Sequence, residues 1–338
     1  MNQELLKRIG NIEQAAGIRE AVLQNGPGAG LRIAELHNAA GLRFTVVPDR
    51  GMDIYDFSYK GVNLSFLSKN GLNSAAPASG PEDGFFGKWP AGMLSTCGLD
   101  NVNGSTVIDG VYYPTHGKIS SLPAEGFSAS EIWEGDRYLL RTEGEMNETD
   151  LYHRHLSLHR KISTGLYDKT VTITDTITNF QPEPEPYMIL YHFNFGWPLL
   201  SEKAKVFVSS SDVRGLNPGS KDFESVTAPE NGYCAQAFFR TGFGKKGCAA
   251  LVNPELELGV WIDFDPEVLP NLVEWKNFLP RCNVLSLEPT NTFPGNREDA
   301  LKEGTLPMLS GFGSVTGTIH IGILDGKEEI NSFLSKMT

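Results

Sequence analysis

The chain has 338 residues, of which 40% are hydrophobic and 21% charged, ample material for a hydrophobic core and far from the composition of a disordered chain. Its formal charge of −12 argues against the basic footprint that nucleic acids or anionic membranes require, so a neutral small-molecule partner fits better. No run reaches the roughly 18 apolar residues of a membrane-spanning helix.

Residues 1–20 have leucine and isoleucine at loosely helical spacing, which predicts a short N-terminal helix packed on the main fold. From Ala21 onward the pattern changes to short apolar or alternating runs, such as LRIAEL and LRFTVVP, cut by turn clusters such as NGPGAG and NAAG. Later runs continue it: YLLRTEG, HRHLSLHRKIS, KTVTITDTITNF, KVFVSSS, AQAFFRTG, CAALVNP, LGVWIDF, NVLSLEP and TIHIGIL. In VTITDTITN, Val171, Ile173 and Ile177 share one face while Thr172, Thr174, Thr176 and Thr178 share the other, so one face is buried and one wet. Strands without intervening helices predict an all-β chain, a large antiparallel β-sandwich. There is no internal repeat and no linker, and the proline-rich Gln181–Tyr187 is short enough to be a loop, so residues 1–338 are expected to form one domain.

The most informative stretch is Met188–Leu200, MILYHFNFGWPLL. As a strand it places Met188, Leu190, His192 and Asn194 on one face and Ile189, Tyr191, Phe193 and Phe195 on the other. An imidazole and a carboxamide in a buried strand need fixed hydrogen bonds or a wet pocket. A core histidine bonded to a carbonyl is the plain alternative, and His192 is taken as the pivot of a pocket because of four further patterns. Pro48–Ile54 sets Arg50 between Asp49 and Asp53 in a polar turn, where its rigid fork of donors suits a carboxylate or several ligand hydroxyls, or else pins the turn. The glycine-containing Gly92–Asn101 reads as a turn that lets backbone and ligand approach closely, and the preceding Phe85, Phe86 and Trp89 offer an apolar platform to a sugar face. Thr115–Ile119 sets His116 beside a turn glycine in a loop. In Asn283–Pro289, Leu285 and Leu287 point one way and Ser286 and Glu288 the other, Pro289 ends the strand, and half-burial raises the Glu288 pKa toward that of a general base.

A rival site is His153-x-His155 with His159, three histidines read on one strand face; a His-x-His pair can chelate a divalent metal. Leu156, Leu158 and Ile162 occupy the opposite face, which makes the histidine side the solvent side of an amphipathic strand, and no metal is assigned. The cysteines at 97, 234, 248 and 282 are dispersed without CxxC spacing, so neither a disulfide framework nor a zinc site is expected. With an N-terminus lacking the apolar core of a secretory signal, a cytoplasmic location is expected.

The blocks PDRGMDI, AGMLSTCGLDNV, THGKISSLPAE, YHFNFGWPLL and LEPTNTFPG, in that order over residues 46 to 295, resemble the aldose 1-epimerase (galactose mutarotase-like) superfamily, and more closely its bacterial branch of aldose-epimerase-like proteins classed as a domain of unknown function. The resemblance implies a large antiparallel sandwich, the supersandwich, and a cofactor-free sugar mutarotase or epimerase acting on a small carbohydrate as a monomer or homodimer. It implies His192 as the general acid on the ring oxygen, Glu288 as the general base on the anomeric hydroxyl, and His116 as the second histidine near the ring oxygen. Arg50 would hold sugar hydroxyls. The superfamily's Asn-Arg pair is absent, and Asp53, Asp100 and Asn101 are the candidates for its sugar-binding acid, with Asn194 and Trp89 as further substrate contacts. Acid and base are expected on opposite sides of one pocket. Two other readings stay open: another sugar or sugar-acid isomerase or lyase using the same two groups, and a non-catalytic sandwich binding sugar through Trp89, Trp197 and Phe195.

Overall fold

The computed structural model describes residues 3–74, 84–220 and 222–337. Among these residues the strands form three large sheets and two small two-stranded ones, and every neighbouring pair within the large sheets runs antiparallel. A five-stranded meander covers residues 17 to 63. An eight-stranded sheet has the order Lys205–Val208, Gly247–Asn253, Leu258–Phe264, Ser314–Asp325, Thr170–Asn179, His155–Gly165, Arg137–Thr149 and Glu125–Glu134. A six-stranded sheet has the order Asp212–Gly215, Gln236–Thr241, Asn271–Leu279, Cys282–Thr290, Met188–Phe195 and Leu94–Leu99. The antiparallel sandwich read from the sequence is the observed architecture.

Alternation decides which face each strand buries. Val171, Ile173 and Ile177 are buried and the intervening threonines half-exposed, as their period of two requires. Phe193, Phe195, Leu285 and Leu287 of the six-stranded sheet join Leu140, Leu158 and Ile162 of the eight-stranded one and Phe44, Val46 and Phe57 of the meander in one apolar cluster. Consequently the opposite face of the six-stranded sheet, carrying His192, Ser286 and Glu288, is turned away from that core.

Several expectations change. The N-terminal helix shrinks to one turn, Gln3–Leu6, followed by a 3-10 turn at Ile12–Gln14 that Asn11 caps, and Gly17–Val22 is already an edge strand. Gly10 and Asn11 break the helical run, and the strand gains a partner in Arg32–His37 that an isolated helix would lack. The stretch read as a glycine turn is the fully buried strand Leu94–Leu99. Pro289 does not end its strand, which continues to Thr290; the pairing with Met188–Phe195 skips that position, where proline has no N–H to give. Strands Glu125–Glu134 and Asn271–Leu279 and helices Arg297–Glu303 and Lys327–Leu334 were not expected. His153 lies exposed before its strand, so the three do not share one strand face; His155, its ring tilted 4.8 Å from that of Phe180, and His159, opposite Glu145 and Thr176, share the half-exposed face of His155–Gly165. No described helix is long and apolar enough to cross a membrane.

The sheets are also joined by charge. Arg160, wholly buried on the eight-stranded sheet, binds Asp175 through Nε and Nη2 at 2.9 and 2.6 Å. Its Nη1 donates to the Gly51 carbonyl, Asp53 and Thr96 at 3.0, 3.1 and 2.8 Å, reaching both other sheets. Burial pushes the Asp53 carboxyl up to about 6 against the pull of Arg160 and Thr96. Replacing Arg160 by leucine strands two buried carboxylates, and the expected loss is ~3–5 kcal/mol in a urea unfolding curve, against about 0.5 kcal/mol or less for Thr172→Ala on the outer face of the same sheet.

Candidate active site

Register brings the two central groups together. Phe193 pairs with Leu287 and Leu190 with Thr290, which sets His192 directly across from Glu288, and both side chains stand on the face away from the core. Their Nε2 and Oε1 atoms are 3.0 Å apart. The expectation that acid and base flank a pocket from opposite sides is therefore corrected: they are neighbours on adjacent strands, in contact. Ser286, two residues before Glu288 on the same face, donates its hydroxyl to Oε1.

Aromatic rings enclose the pair. The His192 ring lies 5.3 Å from Trp89, 5.9 Å from Trp275 and 5.8 Å from the His116 ring, each approached edge to face. Trp89 is fixed by its Nε1 hydrogen bond to Ser95 Oγ at 3.1 Å and by stacking on Phe85, which in turn meets His116. Such surroundings penalise charge. Burial takes the His192 imidazole down to about 3, helped by His116 and opposed by the Asn194 carboxamide. Burial likewise pushes the Glu288 carboxyl up to about 8, opposed by the Ser286 hydroxyl. At neutral pH the pair thus holds one proton between two groups 3.0 Å apart.

His116 arrives from the loop after the short hairpin Thr106–Ile108 and Val111–Tyr113. Its backbone is left-handed, with φ 58°, and is tied by hydrogen bonds from His116 N to the Asn103 carbonyl and from Gly98 N to the His116 carbonyl. Gly98 and Gly117 lie against each other with positive φ, and a side chain on Gly98 would collide with the Met188 carbonyl, so the glycines in Cys97-Gly98 and His116-Gly117 are required by close backbone approach. Beneath the loop, Asp100 pairs with Lys118 at 2.9 Å, Glu148 with Arg154 at 2.9 Å, and the Asp100 carbonyl accepts from Arg297 at 3.0 Å.

A cleft of about 740 Å³ opens over His192, His116, Trp89 and Glu288. Phe85 and Phe86, singled out together with Trp89, line it as well, whereas the remaining candidates lie elsewhere. Arg50 is buried outside the cleft and donates to the carbonyl and side-chain oxygens of Asn73 at 3.0 and 3.3 Å. Asp53 is spent on Arg160 and Thr96, Asp100 on Lys118, and Asn101 on the Gly104 and Pro114 carbonyls and the Arg297 N–H. Asn194 is fully buried, its Nδ2 on the carbonyls of Gly92 and His192. Phe195 is in the core, and Trp197, 73% exposed, does not line the cleft. Among the described residues no cluster of His, Cys, Asp or Glu has the geometry to hold a metal ion.

Sequence reasoning missed Trp275 and the role of Ser286. Trp275 lies in NLVEWKNFL, where the charged Glu274 and Lys276 hide the alternation. Both are buried, joined at 3.1 Å, with Arg240 on the same carboxylate at 2.6 Å.

The fold has many relatives. A "putative aldose 1-epimerase" from Klebsiella pneumoniae superposes with a TM-score of 0.90 at 23% identity, covering 100% of this chain and 90% of its own. A galactose mutarotase-like protein from Clostridium acetobutylicum gives 0.62 at 16% identity, with 92% and 99% covered, and the galactose 1-epimerase of Lactobacillus acidophilus 0.57 at 11%, with 93% and 100% covered. At these identities the likeness is one of fold, the galactose mutarotase-like sandwich. A comparison with curated proteins finds no match. The model of the family described as "Domain of unknown function (DUF4432)" matches residues 28–323, and the chain belongs to that family.

Proposed function

We propose that the protein is a cofactor-independent sugar mutarotase, or closely related epimerase, that interconverts the anomers of an aldose by acid and base catalysis in this cleft. The observation that carries this reading is the contact between His192 and Glu288 at the floor of a cleft lined with aromatic rings. Opening a cyclic hemiacetal moves one proton off the anomeric oxygen and one onto the ring oxygen. In the proposed reaction Glu288 accepts the first and His192 Nε2 delivers the second as the bond from the anomeric carbon to the ring oxygen breaks. The dyad ends with its proton on the carboxyl instead of the imidazole. The aldehyde turns over, and reclosure runs both transfers backwards, so the dyad alternates between two forms that each hold one proton. Contact between the two groups suits this cycle, because a proton stranded on the wrong partner crosses 3.0 Å. Trp89 and Trp275 offer faces to the sugar ring, and His116 stands where it can meet the ring oxygen.

Proton NMR of freshly dissolved α-anomers tests this. Wild-type protein is expected to speed equilibration of an aldose, and His192→Ala or Glu288→Gln to lower the rate by roughly 10²–10⁴-fold while leaving the unfolding midpoint within a few degrees. A new sugar or solvent deuterium fixed on carbon would instead indicate an enolising isomerase, and equal rates with and without protein across neutral and charged aldoses would reject both.

The pH profile has a defined sign. Below about 3 both groups are protonated and no base remains; above about 8 both are deprotonated and no acid remains. Activity is expected to form a broad bell with its alkaline limb near 8. The Ser286 hydroxyl favours the Glu288 carboxylate, so Ser286→Ala should move the alkaline limb upward. In a pH titration of the protein followed by NMR, His192 should stay neutral through about pH 6.5, where an ordinary histidine charges.

A further inference from the structure

The cleft is wider and more positive than an acid–base site for a neutral monosaccharide requires. The chain carries 41 acidic against 29 basic residues, yet among the described residues lining the cleft Glu288 is the one acid, and burial keeps it protonated at neutral pH. Lys69 and Arg281 line the same cleft. Both are exposed, and neither is paired with a carboxylate among the described residues. By contrast, Lys60, Lys118, Arg154, Arg160, Arg240 and Lys276 each hold an acid.

Position matters as much as charge. Arg281 occupies the turn between Asn271–Leu279 and Cys282–Thr290, seven residues before Glu288. At the rise of an antiparallel strand this places its backbone roughly 20 Å from that of the dyad. Lys69 converges on the same end, near enough to Cys282 that its charge opposes the upward push burial gives that thiol. Between the two ends lie Trp275, a face for a sugar ring, and Asn277, whose buried Oδ1 has no hydrogen-bond partner among the described residues. Even with the arginine leaning back along the cleft, the separation exceeds one pyranose ring.

We propose that the substrate is a reducing oligosaccharide, at least a disaccharide, that bears a carboxylate or phosphate on the unit distant from the reducing end. Its reducing ring sits on His192 and Glu288, the next ring crosses Trp275 and Asn277, and Arg281 and Lys69 receive the anion. Arginine presents paired donors to either oxyanion, and lysine adds a point charge. This inference rests on reading the cleft as a sugar site.

The test uses matched reducing disaccharides: cellobiose against cellobiouronic acid for the carboxylate, and lactose against lactose 6′-phosphate for the phosphate. Anomer equilibration is followed by NMR and binding by calorimetry, with wild-type protein and the double variant Arg281→Gln/Lys69→Gln, whose fold is checked by circular dichroism. For at least one pair, kcat/KM of the charged sugar is expected to exceed that of its neutral counterpart by about tenfold or more, mainly through KM, and the preference to collapse in the double variant. The pair that shows it identifies the anion. Equal handling of charged and neutral members by wild type, or a preference that survives in the double variant, overturns the proposal. If no sugar equilibrates faster, the mutarotase reading fails but calorimetry still decides this one: tighter binding of a charged member, lost in the double variant, upholds the anion site, and no difference overturns it.

Discussion

The guanidinium of Arg160 is the constraint on which the positions of the other parts depend. It belongs to the eight-stranded sheet, yet its donors end on Asp53 and the Gly51 carbonyl of the meander region and on Thr96 of the six-stranded sheet. Asp175 holds it from the side through two hydrogen bonds, and Tyr191 donates to the same carboxylate at 2.8 Å. Apolar burial carries no direction, so by itself it constrains small slips between sheets only weakly. A buried fork with five donors is not indifferent: each missed partner leaves a charge or a polar group desolvated. Tyr191 and His192 are adjacent on one strand and point to opposite faces. The network that fixes Tyr191 from inside therefore also sets the strand that presents His192 outside.

The dyad depends on the same kind of registration, one strand further along. A shift of one residue between Met188–Phe195 and Cys282–Thr290 would turn Glu288 into the core and place Leu287 beside His192. The phenylalanines and leucines behind the dyad prevent it, since Phe193, Phe195, Leu285 and Leu287 fit the sandwich core in one register. Core packing and dyad geometry are two faces of one strand pairing.

Much of this was legible in the sequence, and the reasons for the failures are physical. Strands with clean alternation, such as Thr170–Asn179, declare their buried face because the solvent side is polar at every second position. His192 and Glu288 stood out as polar groups within or beside apolar strands. Arg50, Asp53, Asp100 and Asn101 stood out for the same reason, but their partners are backbone and ionic groups far away in sequence: Asp53 meets Arg160 107 positions on, and Asn101 meets Arg297 196 positions on. A polar residue in an apolar context signals that it has a partner; whether that partner is a ligand or the protein is a matter of tertiary pairing. Trp275 was lost for the converse reason, since Glu274 and Lys276, buried as an ion pair, read as a solvent face.

The rings that enclose His192 perform two tasks that pull against each other. Trp89, Trp275 and His116 exclude water, and this lowers the imidazole and raises the carboxyl until the proton rests on Glu288. In the proposed cycle that form follows ring opening, whereas opening a closed ring starts from imidazolium and carboxylate. The resting dyad is thus biased toward reclosure. In that cycle a sugar entering the cleft would change the balance, its hydroxyls bringing hydrogen-bond donors to the carboxylate and acceptors to the imidazolium, in addition to what Ser286 and Asn194 supply from the protein side. Substrate binding and proton placement are then one equilibrium, and the charged form of the dyad is favoured when there is a ring to open.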